Sequence, residues 1–154
     1  SPAVVWSVVT SLGGRRGWVH YDSLWRLRGA LDRLVGGVGM RRGRRHPTDV
    51  RVGDAIDFWR VAAVEPGRRL TLVAEMKLPG SAVLEFEVTP LPSGGSKLST
   101  SARYHPAGVV GLLYWYALVP VHPRIFRGMT NGIVERAEAL EAASLAANSS
   151  RIAE

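Results

Sequence analysis

From residue 54 to residue 104 the chain repeats one pattern, with apolar side chains on one parity, polar ones on the other, and turn residues between the runs. Leu70, Leu72, Ala74, Met76 and Leu78 share a parity, as do Ala82, Leu84, Phe86 and Val88, and then Leu98, Ala102 and Tyr104. Between them stand Thr71, Glu75, Lys77, Glu85, Glu87, Ser99, Ser101 and Arg103. Such period-two alternation marks strands with one face in a core and the other in water. The spacing predicts four antiparallel strands over 54–64, 69–78, 81–89 and 96–104, joined through Glu65-Pro66-Gly67, Pro79-Gly80 and Pro92-Ser93-Gly94-Gly95. A three-residue Pro79-Gly80-Ser81 turn sets Met76 opposite Leu84 and Ala74 opposite Phe86, which brings Glu75 against Glu85.

Helical periodicity brackets this sheet. Ser1 as N-cap and Pro2 in the first turn open a helix carrying Val4, Val5, Val8, Val9 and Leu12, stopped by Gly13-Gly14; the β-branched valines make a strand the competing reading. Asp22 or Ser23 caps a second helix whose Leu24, Leu27, Leu31, Leu34 and Val35 form one apolar stripe, with Arg26, Asp32 and Arg33 off it and Gly36-Gly37 at its end. Residues 107–121 contain no charge but fall short of the roughly 18–20 residues that span a bilayer. A buried helix is the expectation there, with a membrane-surface element as the alternative. His122-Pro123 then starts a long amphipathic helix with Phe126, Met129, Ile133, Ala137 and Leu140 on one line, which should lie across the sheet. The whole reads as one α+β domain over 1–146 with a frayed tail over 147–154: two short N-terminal helices, a curved antiparallel sheet and a long C-terminal helix enclosing an internal cavity.

Composition narrows the chemistry. The 154 residues contain no cysteine, which excludes disulfides, thiolate nucleophiles and cysteine-ligated zinc, and is compatible with the cytoplasmic location we expect. The formal charge of +7 rests almost wholly on arginine, since Lys77 and Lys97 are the only lysines; it would attract an anionic partner and equally fits a GC-rich, bacterial codon usage. Arg41, Arg42, Arg44 and Arg45 cluster in one loop without interleaved aromatics, so a solvated loop or a homodimer contact is expected rather than nucleic-acid binding. The chain opens at Ser1 without methionine and reads as trimmed or processed.

The candidate site follows from the aromatic residues. Trp18, Tyr21, Trp25, Trp59, Tyr104, Tyr114, Trp115 and Tyr116 fall near element ends or on helices around the expected cavity, where large side chains with few rotors and a polar tip orient flat apolar ligands. Met76, Phe86, His122 and Met129 complete the expected ligand-binding set. For acid/base chemistry the candidates are Tyr104, His105 and Glu75, with His122 also within the same region. Asp57, Glu75 and Glu85 could form a carboxylate row, or merely pair with Lys77 and Arg103 in water. The four histidines show no H-x-x-x-H or H-E-x-x-H spacing, so no metal is expected. No G-x-S-x-G elbow or P-loop is present either.

Several rare-residue motifs occur in order: Gly13-Gly14-Arg15-Arg16-Gly17-Trp18, Leu24-Trp25-Arg26-Leu27-Arg28, Asp32-Arg33-Leu34-Val35-Gly36-Gly37-Val38-Gly39, Gly53-Asp54-Ala55-Ile56-Asp57-Phe58-Trp59-Arg60-Val61, Glu75-Met76-Lys77-Leu78-Pro79-Gly80 and Leu113-Tyr114-Trp115-Tyr116-Ala117. With them the chain, from about residue 3 to residue 138, resembles the DUF2867 family. The element order also resembles the helix-grip fold of the START-like or SRPBCC superfamily, although the first strand of that fold is missing here. The resemblance implies an internal hydrophobic pocket of the kind used for lipid and polyketide binding and for cyclase or aromatase chemistry. It also implies an accessory role beside a short-chain reductase-like domain. No Gly-x-Gly-x-x-Gly follows a strand in this chain, so that domain's dinucleotide is not carried over and no cofactor is expected. The expected activity is binding of a hydrophobic or aromatic small molecule; a metal-free, cyclase-type enzyme using Tyr104, His105 and Glu75 is the alternative.

Overall fold

The computed structural model describes residues 1–40 and 44–152. Helix α1 (Pro2–Thr10) and helix α2 (Asp22–Leu34) precede a five-stranded antiparallel meander of β1 (Ala55–Ile56), β2 (Trp59–Glu65), β3 (Arg69–Ala74), β4 (Gly80–Pro90) and β5 (Ser96–Pro106). Helices α3 (Gly108–Leu118) and α4 (His122–Ile152) complete the chain. The α+β class and the long C-terminal helix are as the periodicity predicts, and the N-terminal segment is helical despite its valines.

Parity sets the two faces of the sheet. Trp59, Val61, Leu70, Leu72, Leu84, Phe86 and Val88 are buried on the inner one. There they join Val8 and Val9 of α1 and Met129, Ile133 and Ala137 of α4 in a single core. The outer face carries a charge ladder, with Arg60–Glu75 at 2.7 Å, Arg69–Glu87 at 3.3 Å and Arg103–Glu85 at 3.8 Å. α1 packs against α4, β4 and β5, and α4 also rests on β5, where the Thr130 hydroxyl donates to that of Thr100 at 2.9 Å. Leu140, expected on the buried stripe, is 48% exposed. α4 stays helical into the expected tail and is exposed throughout 142–151.

The predicted first strand is in fact a hairpin. Ile56 pairs with Trp59 across Asp57 and Phe58, and Asp57 takes φ +54, the left-handed conformation that the first residue of such a turn uses. Its fully buried carboxylate repays that geometry by accepting from Trp18 Nε1 at 2.8 Å and from Gly14 N at 3.1 Å. The carboxylate row is therefore absent: Asp57 lies inside, whereas Glu75 and Glu85 belong to the outer ladder.

Register also departs from expectation. Leu72 opposes Leu84 and Leu70 opposes Phe86, so each pair is displaced by four residues on β3 while the parity is kept. Glu85 consequently faces Thr71, not Glu75, and Glu75 pairs with Arg60. The cause is α2: Asp32 Oδ1 accepts from Lys77 N at 2.7 Å and Arg28 donates to Lys77 O at 3.3 Å, drawing residues 76–78 off the sheet before β4 begins at Gly80.

α2 itself sits differently from its leucine pattern. It starts from Tyr21, in the left-handed region at φ +50, with no side-chain cap from Asp22 or Ser23. Trp25, Gly29 and Asp32 form its buried face, whereas Leu24, Leu27, Leu31 and Leu34 are 40–82% exposed. Its end is as predicted: Gly36, at φ +75, donates to Arg33 O and Gly37 to Asp32 O, the paired bonds of a Schellman motif. Of the arginine cluster, Arg41 and Arg42 lie outside the described residues. Arg44 is a helix cap, donating to Leu12 O and Thr10 O, both at 2.8 Å, and Arg45 is paired with Asp49 and Asp54.

Candidate functional site

The middle of α4 packs on the sheet through Met129, Ile133 and Ala137, which are buried in the core. A cavity of about 510 Å³ opens beside them, bounded by α2, the start of β2, the segment between β3 and β4, the ends of β4 and β5, α3, and the first turn of α4. α2 contributes Leu24, Trp25, Leu27, Arg28 and Leu31; the sheet contributes Trp59, Ala82, Ala102, Arg103 and Tyr104, and the segment between β3 and β4 contributes Met76 and Leu78. α3 adds Tyr114, Trp115 and Leu118, and α4 adds His122, Ile125 and Phe126.

Two alanines make the room. Ala82 opposes Tyr104 and Ala102 opposes Leu84 on the inner parity, where larger side chains would fill the end of the sheet as Leu84 and Phe86 fill its middle. α3 is held down on this end by Gly111, where a Cβ would meet the carbonyl oxygen of Pro79 and the backbone of Pro106.

A continuous run of rings lines the cavity. Tyr104 stacks on Trp115 at 5.5 Å and lies 5.7 Å from Tyr114; Trp115 is 6.0 Å from His122, which is 5.6 Å from Phe126. Phe126 meets Trp25 edge-on at 6.4 Å, and Trp25 packs on Trp18 at 5.3 Å. These arrangements fall within the offset and tilted geometries that aromatic pairs favour. Polar groups are few. The Tyr104 hydroxyl donates to Pro79 O at 2.7 Å, and burial, followed by the neighbouring Tyr114, holds its pKa above the phenol value, so it is protonated at neutral pH. Burial pushes His122 below the ordinary imidazole value, which leaves it neutral at pH 7. The indole N–H groups of Trp25 and Trp59 are buried and have no hydrogen-bond partner among the described residues.

Of the residues singled out from sequence, Trp25, Trp59, Met76, Tyr104, Tyr114, Trp115 and His122 are brought together around this cavity. Trp18, Phe86 and Met129 are completely buried in the core beneath it. Tyr21 is 46% exposed, edge-on to His20. His105 opposes Ser81 next to the Ala82–Tyr104 pair but on the opposite parity of β5, and Glu75 pairs with Arg60, so neither joins Tyr104 in the cavity lining. The leucines of α2, together with Leu78, Ala82, Ala102, Leu118 and Phe126, are the lining residues that periodicity assigned to core or left unmentioned. The alternation of alanine with Tyr104 on the inner parity was the readable sign of a gap. Among the described residues, no group of three His, Asp or Glu side chains is placed to hold a metal ion.

The family model described as "Protein of unknown function (DUF2867)" matches residues 1–129. The chain belongs to the DUF2867 family. The match takes in α1, α2, the whole sheet, α3 and the first turns of α4, and so nearly all of the cavity wall of this DUF2867 domain lies within it. No curated protein and no solved structure matches the chain.

Proposed function

We propose that this DUF2867 domain binds a hydrophobic or aromatic small molecule, lipid-like or polyketide-like in build, in the cavity between α2, α3 and the end of the sheet. The observation that carries the reading is the lining: about 510 Å³ bounded by leucines and aromatic rings, with few polar groups. That volume falls within the range of about 300–1,000 Å³ typical of small-molecule sites. An antiparallel meander followed by a long C-terminal helix supports placing the domain with the helix-grip proteins of the START-like superfamily. An acid/base reaction is the second reading, favoured by the neutral His122 in the same cavity as the protonated Tyr104.

Native mass spectrometry of the purified protein tests the first reading, because an apolar pocket retains ligand through gentle desolvation. A bound apolar mass, absent from an Ala102→Trp variant that fills the pocket from the β5 side, supports it. A ligand-free native protein that also refuses apolar fluorophores would defeat it. For the second reading, His122→Gln should abolish turnover of a bound substrate while leaving binding within a few-fold.

A further inference from the structure

We propose that α3, with the exposed leucines of α2 beside it, docks this chain on an anionic lipid bilayer so that the cavity mouth faces the membrane. The outward face of α3 carries Val109, Val110, Leu112, Leu113 and Tyr116, each 45–73% exposed. Its inward face, with Gly111, Trp115 and Leu118, is no more apolar. A helix at a water boundary keeps a polar outer face, and one without it belongs in an apolar medium. The patch extends across the cavity, whose wall includes the exposed Leu24, Leu27 and Leu31 on one side and Val119 and Val121 on the other. An exposed apolar surface of that continuity marks an interaction site.

Charge selects the partner. No carboxylate occurs between residues 88 and 134, a stretch that contains Lys97, Arg103, Arg124 and Arg127. Arg103 borders the cavity from β5 but is already paired with Glu85, whereas the exposed Arg124 and Arg127 follow α3 on the first turns of α4 with no ion-pair partner among the described residues. Two copies docked through this face would bring Arg124 and Arg127 of each towards one another, with no carboxylate on α3 or the first turns of α4 to answer them, whereas anionic headgroups neutralise them. The 11-residue α3 is about 16 Å long, too short to cross a bilayer, so it lies in the interface with Tyr116 at headgroup level. Among the described residues no single helix is long and apolar enough to cross a membrane; α3 and α4 together have the length, but are bent by 59°.

The test is co-sedimentation of the full chain with vesicles of phosphatidylcholine alone and with about a third phosphatidylglycerol, at low and high salt. Binding to the anionic vesicles that weakens with salt is expected. Leu113→Glu, at an exposed position that leaves packing intact, should weaken it about tenfold or more, and Arg124→Glu or Arg127→Glu about fivefold each. Leu140→Glu, on the distant part of α4, serves as the control that changes nothing. Absence of binding to both vesicle types overturns the proposal, as does binding that ignores Leu113→Glu. A monomer–dimer equilibrium abolished by Leu113→Glu without any vesicle binding assigns the face to a second copy instead. Entry of a soluble apolar fluorophore into the Leu113→Glu cavity separates loss of docking from loss of the pocket.

Discussion

Asp32 ties three segments to one buried residue. Its carboxylate accepts from Gly39 N at 2.8 Å and from Lys77 N at 2.7 Å, and its carbonyl accepts from Gly37 N, while a Cβ on Gly37 would collide with the carboxylate. Asp32→Ala strands two backbone donors, Gly39 N buried and Lys77 N partly buried, so urea denaturation should show a loss of about 2–3 kcal/mol, with Asp32→Asn intermediate because one acceptor oxygen remains. A helical wheel places Asp32 off the leucine stripe and cannot say that the off-stripe side is the buried one. That depends on partners 7 and 45 residues away, which have no local signature. His122 supports a pH prediction. Burial lowers its folded pKa below the unfolded value, so the unfolded chain takes up the proton first and stability falls as pH drops through the region near 6.5. Asp49 and Asp54, held low by Arg45, lose their contribution only below the ordinary carboxylate range, outside this window. Melting temperatures at pH 7 and pH 5 should therefore fall in the native protein and fall less in His122→Gln.

At the scale of elements, α1 ends on a borrowed cap. Val8 O and Val9 O accept from Ser11 N and Leu12 N, and Arg44 reaches over from the following loop to take Thr10 O, the last carbonyl of the helix, and Leu12 O just beyond it. Arg44→Ala should lower stability by about 1.5–3 kcal/mol, and Arg44→Lys should recover only part of it, since an ammonium cannot reproduce the guanidinium fork; urea midpoints at constant slope would show both. The strands were legible because alternation survives in any register: Leu70, Leu72, Leu84 and Phe86 share a face whichever residues are opposed. Their pairing was not, since Pro79-Gly80 has turn composition yet Gly80 already pairs with Pro106, and the chain reverses earlier under the pull of Asp32. For the same reason a charge-free run such as 107–121 predicts a helix in an apolar setting but not whether that setting is the protein's own core. α3 is the case where it is not: Val109, Leu113 and Tyr116 face outward while the core is closed by α1 and α4.

For the whole molecule the decisive feature is that the core and the cavity are separate. Trp18, Phe58, Phe86, Met129 and Ile133 pack without remaining exposure, so the fold does not require an occupant. The cavity sits at the edge of that core, against the half-buried Tyr114, Trp115 and Phe126. An apolar ligand there stabilises the folded state alone, by about 2.7 kcal/mol at a free concentration of about 100 Kd. For a chain of this size that corresponds to a rise in melting temperature of about 5–10 °C. Protein stripped of ligand by organic extraction and refolded should melt cooperatively at the lower temperature, and adding back the extracted apolar fraction should restore the difference. Ala102→Trp should show neither the loss nor the recovery, because the indole occupies the space from the protein's own side. An Ala102→Trp variant that still responds to the extract would put the ligand elsewhere, and a native protein whose melting temperature ignores extraction would mean that the hollow beside α3 is empty at rest.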